Sequence, residues 1–181
     1  MLQQSLEALW GHLATIGRPV VVARIPGPGL EDVKSALGEP IPDMVAQWFN
    51  WSNGVADTPG QTQDDASVMP GYWPLSIAEA KSIMSDYIDD EAALGDHWVP
   101  LLGSGGGDFY AAVFDESLHE VGVFTVMSGG ETEISFRSVE EMVDGFLELY
   151  QTGVFYVDDD GTLEADDDRW VEYESRVGGT A

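Results

Sequence analysis

The chain has no cysteine among its 181 residues, which excludes disulfides, thiolate catalysis and cysteine-ligated zinc. Basic residues are scarce: seven Lys and Arg stand against 33 Asp and Glu, giving a formal net charge of -26. Such a surface repels nucleic acid and anionic lipid, so we expect neither as a partner. No apolar run reaches the roughly 20 residues of a membrane helix, and the N-terminal residues do not resemble a signal peptide. We therefore expect a cytoplasmic protein.

Sequence motifs for catalysis or for metal and cofactor binding are also missing. The three histidines are not spaced as metal ligands. The glycine-rich run Gly103–Gly107 lacks the lysine of a phosphate-binding loop and leads into a predicted strand. Asp158–Asp168 contains seven acids but lacks the first ligand of the EF-hand template. We expect no catalytic residue, no metal site and no cofactor; whether residues 158–168 bind calcium ions stays open.

The hydrophobic pattern begins helical and then changes. Apolar residues at helical spacing predict helices over residues 2–16 and 30–37, then after Pro42. Residues 55–67 are polar and predict a loop, and residues 69–75 predict an edge strand or an extended segment. Capping boxes at Ser76 and Ser138 predict two further helices.

Residues 98–136 have the alternation and the short turns of an antiparallel meander, with an edge position or a bulge at Pro100. A strand at residues 154–157 and a last helix near Trp170 follow. The predicted fold class is therefore α+β. We expect one domain over residues 1–181, with a central antiparallel or mixed sheet of about four to six strands packed against N-terminal and C-terminal helices.

Several motifs resemble one family when they are taken in order. They are Ile41-Pro42 with Trp48-Phe49 and Asn53-Gly54, Tyr72–Leu75 before a capped helix, Trp98–Leu101 with Gly106–Tyr110, and the helix Ser138–Leu149. This arrangement is similar to that of the SUKH superfamily, the Smi/Knr-like proteins. The similarity covers residues 30–153; the N-terminal helix 2–16 and the acidic C-terminal extension 154–181 lie outside it.

The resemblance implies an α+β fold without catalytic activity of its own, because many members are immunity proteins against bacterial toxins. We expect a non-enzymatic immunity protein that occludes the active surface of a basic toxin, such as a nuclease domain. One alternative is an intracellular adaptor or regulatory module of the same fold without a toxin partner. The other is a hydrolase that uses a pair of carboxylates.

We expect a partner to be held by acids on loops and by two aromatic anchors, because loops carry recognition and aromatic residues dominate interface hot spots. These residues are Trp51, Asp57, Asp64, Asp65, Tyr72, Asp115, Glu116, Asp158, Asp159 and Asp160. The acids should cluster on one face. Most of the six tryptophans should lie in the core, because large aromatic side chains dominate burial.

Overall fold

A computed structural model of the chain describes residues 1–38, 40–87 and 93–178. The elements within these residues are α1 (Leu2–Thr15), α2 (Val20–Ala23), α3 (Leu30–Leu37), α4 (Asp43–Trp51), α5 (Gln63–Ala66), β1 (Tyr72–Pro74), α6 (Ile77–Asp86), β2 (Trp98–Ser104), β3 (Phe109–Phe114), β4 (Glu120–Val126), β5 (Glu133–Phe136), α7 (Val139–Gln151), β6 (Phe155–Val157), β7 (Leu163–Ala165) and α8 (Asp167–Gly178). Helices flank a central sheet, so the predicted α+β class is confirmed.

The central sheet has five antiparallel strands in the order β1-β2-β3-β4-β5. Each strand neighbours the next along the chain, which confirms the predicted meander and the edge position of β1. The register of β2 against β3 shifts between Pro100 and Leu102. This irregularity accommodates a proline inside a central strand, because proline has no N–H to donate to the ladder. Strands β6 and β7 form a separate hairpin.

Both faces of the sheet are covered, and alternate residues of β3 show this most clearly. Tyr110, Ala112 and Phe114 belong to the main core, which also contains the buried sides of α7, α1 and α4. Phe109, Ala111 and Val113 face a smaller cluster that includes Leu94 and Ile83 of α6. The period of two in β3 thus divides its side chains between two apolar layers.

The helices form where the sequence patterns predict them. Helix α7 buries seven residues along one side: Val139, Met142, Val143, Gly145, Phe146, Leu149 and Tyr150. Helices α3 and α4 pack against each other as an αα-hairpin, with Gly38 in the left-handed conformation (φ 78°) at the end of α3. Pro42 has an extended ψ of 149° and is the N-cap of α4, so the helix begins after it at Asp43.

Three local predictions need correction, and one helix was not predicted. The predicted loop at residues 55–67 contains the short helix α5, whose N-terminus has a capping box between Thr62 and Asp65. Helix α2 was not predicted. The capping box predicted at Ser138 is only half formed, because the carboxylate of Glu141 accepts hydrogen bonds from Arg137. The helix predicted to run from Ser76 to residue 92 ends at Asp86, because Tyr87 is extended (ψ 125°); residues 88–92 lie outside the described residues.

The expectation that most tryptophans are core residues is wrong. Only Trp48 is fully buried, at 1% exposure, and the other five rings are half-buried at the boundary of the core. An indole has an apolar body and a polar N–H, so a boundary position satisfies both. None of the described helices is long and apolar enough to cross a membrane.

Candidate functional site

Each of the seven basic side chains in the sequence has an acceptor within the protein itself. The pairs are Arg18 with Asp64, Arg24 with the Trp51 carbonyl, Lys34 with Asp43, Lys81 with the Ala36 carbonyl, Arg137 with Glu141, Arg169 with the Thr152 carbonyl, and Arg176 with Glu148. The cations are therefore committed to contacts inside the fold. Most of the 33 acids have no matching cation in the chain and are left to solvent or to a partner.

A groove of about 690 Å³ opens between the β4–β5 hairpin and α8. Its apolar wall consists of Met127, Ile134 and Val171. Its polar lining consists of Thr125, Glu131, Glu133, Ser135, Glu174 and Ser175. We call this feature the β5–α8 groove. It combines exposed apolar surface with three carboxylates in one concave place.

Two aromatic residues fix α8 and so shape this groove. Tyr173 is buried, and its hydroxyl lies where a side chain on Gly145 would be: a Cβ there would be 2.4 Å from it. Trp170 meets Phe155 of β6 edge-on, with ring centroids 5.0 Å apart. With these residues turned towards the core, helical spacing brings Val171 and Glu174 together on another side of α8, where both line the groove.

The electrostatics of the groove centre on Glu174. Partial burial raises the pKa of its carboxyl, a hydrogen bond from Trp170 opposes this, and the charge of Glu133 raises the pKa further. The same carboxylate influences Tyr72: burial, then the charges of Asp108 and Glu174, raise the pKa of Tyr72 to about 12. Among the described residues no cation pairs with Glu174, and Tyr72 lies within its electrostatic range.

A chain of hydroxyl groups leads from the core into the groove. The hydroxyl of Tyr110 is hydrogen-bonded to Thr125, and the Oγ1 of Thr125 lies 2.5 Å from the Oγ of Ser135. The rings of Tyr72 and Tyr110 also meet edge-on, with centroids 5.0 Å apart. Of the two predicted aromatic anchors, Tyr72 is therefore the one connected to the groove.

Trp51 lies in a different cluster, within the helical layer. Its ring meets Trp10 edge-on with centroids 5.0 Å apart, and the guanidinium of Arg24 stacks over both rings at 5.3 and 5.2 Å. Trp51 is half-buried. Its surroundings explain it as a packing residue between α1 and α4, and the structure does not bring it to the groove.

Two acids of the 57–65 loop that were predicted to bind a partner hold the fold instead. Asp64 accepts a hydrogen bond from Arg18 Nη1 at 3.1 Å and another from the backbone N–H of Leu163 at 3.0 Å. Asp65 closes the capping box of α5, and the backbone N–H of Thr62 lowers the pKa of its carboxyl. Asp57 is exposed.

The two acidic turns, at residues 115–119 and 158–162, have the same hydrogen-bonding pattern. In each, the first carboxylate accepts two backbone N–H groups: Asp115 from residues 117 and 119 at 2.8 and 2.9 Å, and Asp158 from residues 160 and 162 at 2.9 and 2.8 Å. The acids that follow, Glu116, Asp159 and Asp160, are exposed. These later acids have no such role in the turn and are free to meet a partner.

The predicted acids occupy two ends of the sheet. Asp64 binds β7, so the 57–65 loop lies beside the 158–160 hairpin, and Gln63 Nε2 donates to the Gly71 carbonyl next to β1. Strand β3 begins at Phe109, which pairs with Gly103 of β2 next to β1. Asp115 and Glu116 follow the opposite end of β3. The structure thus joins two of the three acidic segments and separates the third.

Sequence reasoning missed the three glutamates of the β5–α8 groove. Glu131 and Glu133 lie beside a short strand, and Glu174 lies in a charged helix, so no motif distinguishes them. Among the described residues, no group of three or more His, Asp or Glu side chains is arranged to hold a metal ion.

Comparison with known proteins does not assign the chain to a family. No family model matches it, and no curated protein matches it. Its function must therefore be inferred from the geometry and charge of the molecule.

Proposed function

We propose that this chain is a non-enzymatic binding protein of the cytoplasm that neutralises a basic protein, and more specifically an immunity protein against a bacterial toxin. One observation carries the proposal: all seven cations bind acceptors inside the protein while the net charge is -26. The uncompensated acids then have a basic partner as their natural complement. The sequence resemblance to the SUKH superfamily supports the toxin-immunity role.

The mechanism follows from the charge. Exposed carboxylates attract a basic toxin over about 8 Å at physiological ionic strength and accelerate its encounter with the acidic surface. In the complex, carboxylates take the positions that substrate phosphates would occupy on a nuclease, so the toxin surface is occluded. No chemical step by this chain is needed.

Identifying the native partner tests this function. The protein is used to capture its partner from the native host, the partner is identified, and the pair is co-expressed in a growth assay. We expect a basic partner whose toxicity is relieved by this chain. We also expect the association rate to fall as salt is raised from 50 to 300 mM, on the order of tenfold, with a smaller change in dissociation. A partner that is not basic, or toxicity that persists, would overturn the proposal. A basic but harmless partner would support the adaptor alternative.

A hydrolase is the second candidate, because two groove residues fit one part of its requirements. Partial burial, and after it the charge of Glu133, raise the pKa of Glu174, and a carboxyl with a raised pKa beside a second carboxylate is what acid–base hydrolysis uses. Chromogenic glycosides assayed between pH 4 and 8 distinguish the two functions. Turnover that is abolished in Glu174→Gln would replace the binding function with catalysis; no turnover is the result we expect.

A further inference from the structure

We infer that the β5–α8 groove is a docking site for a lysine- or arginine-bearing segment of the partner, with the cationic heads on its glutamates and the alkyl stems on its apolar wall. This inference rests on the proposed function in one respect: it takes the partner to be a basic protein. It adds where that partner docks and which side chains it inserts.

The apolar wall provides the first argument. Met127 is 51% exposed and Val171 is 61% exposed, and they flank the groove together with Ile134. Exposed apolar residues gathered in one concave place, with a polar rim, are typical of an interaction site. The stems of arginine and lysine are long enough to cover such a surface while their charged heads stay among polar groups.

The charges of the lining identify the occupant. The described residues that line the groove include Glu131, Glu133 and Glu174 but no basic residue. Glu133 and Glu174 are close enough for one charge to disfavour the other. A guanidinium placed among these carboxylates would relieve that repulsion and could form paired N–H···O bonds.

Competing occupants fit the groove less well. A second copy of this chain would bring another net charge of -26 to an acidic surface, and like charges oppose that association. A metal ion needs several converging ligands, and no such group exists among the described residues. Nucleic acid is repelled by the carboxylates. Charge complementarity therefore selects a cationic protein segment.

The experiment uses a defined probe, an acetylated hexapeptide that alternates arginine and leucine, with a glutamate–leucine peptide of the same length for comparison. Backbone amide NMR maps where the probe binds, and calorimetry gives the affinity. We expect the largest shifts at residues 127, 131–135 and 171–175, and no binding of the glutamate peptide.

Two double variants of equal charge locate the site. Glu133→Gln with Glu174→Gln removes two groove carboxylates, whereas Glu164→Gln with Glu172→Gln removes two carboxylates that do not line the groove; all four side chains are exposed. Glu172 is the matched control, because it lies on α8 beside Arg169 and Tyr173, outside the groove. We expect about tenfold weaker binding for the groove variant and less than twofold for the control, from the usual size of exposed ion pairs.

Val171→Ser tests the apolar wall, with Val22→Ser as its control on α2, where Val22 is 91% exposed. Only Val171→Ser should weaken the probe. Equal weakening by both charge variants would mean general attraction by net charge, and equal weakening by both valine variants would mean loss of fold. Either result would overturn the docking site. Calcium ions that shift the same amides and displace the probe would overturn it in favour of a cation site, and a concentration-dependent dimer that occupies these amides would overturn it in favour of self-association.

Failure of the docking site and failure of the proposed function can be told apart. If a verified toxin binds the groove variant as tightly as the wild type, the function stands and the docking site is wrong. If the probe maps to the groove but the native partner is not basic, the groove binds cations and the proposed function is wrong.

Discussion

Replacing Asp64 with alanine should destabilise the protein strongly, because the buried guanidinium of Arg18 loses its counter-charge and keeps the backbone carbonyl of residue 64 as its acceptor. The side chain of Arg18 is only 1% exposed, whereas that of Asp64 keeps 25% exposure. Besides the ion pair at 3.1 Å, Asp64 accepts the N–H of Leu163 and so connects α5 with the β6–β7 hairpin. One carboxylate therefore holds three separate parts of the chain.

The expected magnitude follows from the two contacts. Breaking a buried ion pair by removing one partner costs about 3–5 kcal/mol, and the partial exposure of Asp64 places this case near the lower end. Loss of the acceptor for the backbone N–H adds about 1 kcal/mol. At about 2–4 °C per kcal/mol for a chain of this size, the melting temperature should fall by roughly 10 °C.

Thermal and urea unfolding, followed by circular dichroism, measure this effect. Asp57→Ala is the matched control, because it removes the same charge from an exposed position in the same loop and should change stability by less than about 0.5 kcal/mol. Arg18→Met combined with Asp64→Leu should recover most of the loss, since an apolar pair leaves no charge buried. If Asp64→Ala melts within 2 °C of Asp57→Ala, the reasoning about Arg18 is refuted.

Three further outcomes are expected. Asp158→Ala should lower the melting temperature by about 3 °C, because two backbone N–H groups lose their acceptor, while Asp159→Ala should change it by less than 1 °C; equal shifts would contradict the role of Asp158 in the turn. Gly145→Ala should displace Tyr173, since the new Cβ would lie 2.4 Å from its hydroxyl, and limited proteolysis should then cut α8 faster than in wild type. Calorimetry from pH 7 to 4 should show the affinity for the hexapeptide falling as Glu174 becomes protonated, and this should begin at a higher pH than for an ordinary glutamate because the pKa of Glu174 is raised. The same raised pKa makes the free protein gain stability from this group as the pH falls. Binding that does not depend on pH would count against Glu174.

Local patterns predicted most of the fold. Helices α1, α3 and α7 follow the apolar period of the sequence, and the meander follows from alternation interrupted by short turns. The exceptions are also local. Thr62 is the N-cap of α5 and Asp65 completes its capping box, a signal that the surrounding polar residues obscured. Helix α2 is four residues long, too short to show a period.

Long-range pairing could not be predicted in the same way. Asp64 reads as an exposed loop acid, and only the folded chain shows that Arg18 and Leu163 need it. The β5–α8 groove likewise forms between a strand and a helix that are far apart in sequence. Its glutamates follow no motif, because the spacing that matters is set by tertiary packing. In a chain with 33 acids, single carboxylates carry little information until their neighbours are known.

Because cations are scarce in this protein, they stabilise the fold, and most of the acids remain without a counter-charge. A net charge of -26 opposes compactness through self-repulsion, so each basic side chain is most useful where it ties segments together. Arg18 joins α5 to the chain after α1, Arg176 ties α8 to Glu148 of α7, and Arg169 caps the end of α7 from α8. With the cations used in this way, the chain has none left over to balance its outer acids. A basic partner would supply the missing charge, and the β5–α8 groove offers it both carboxylates and apolar surface.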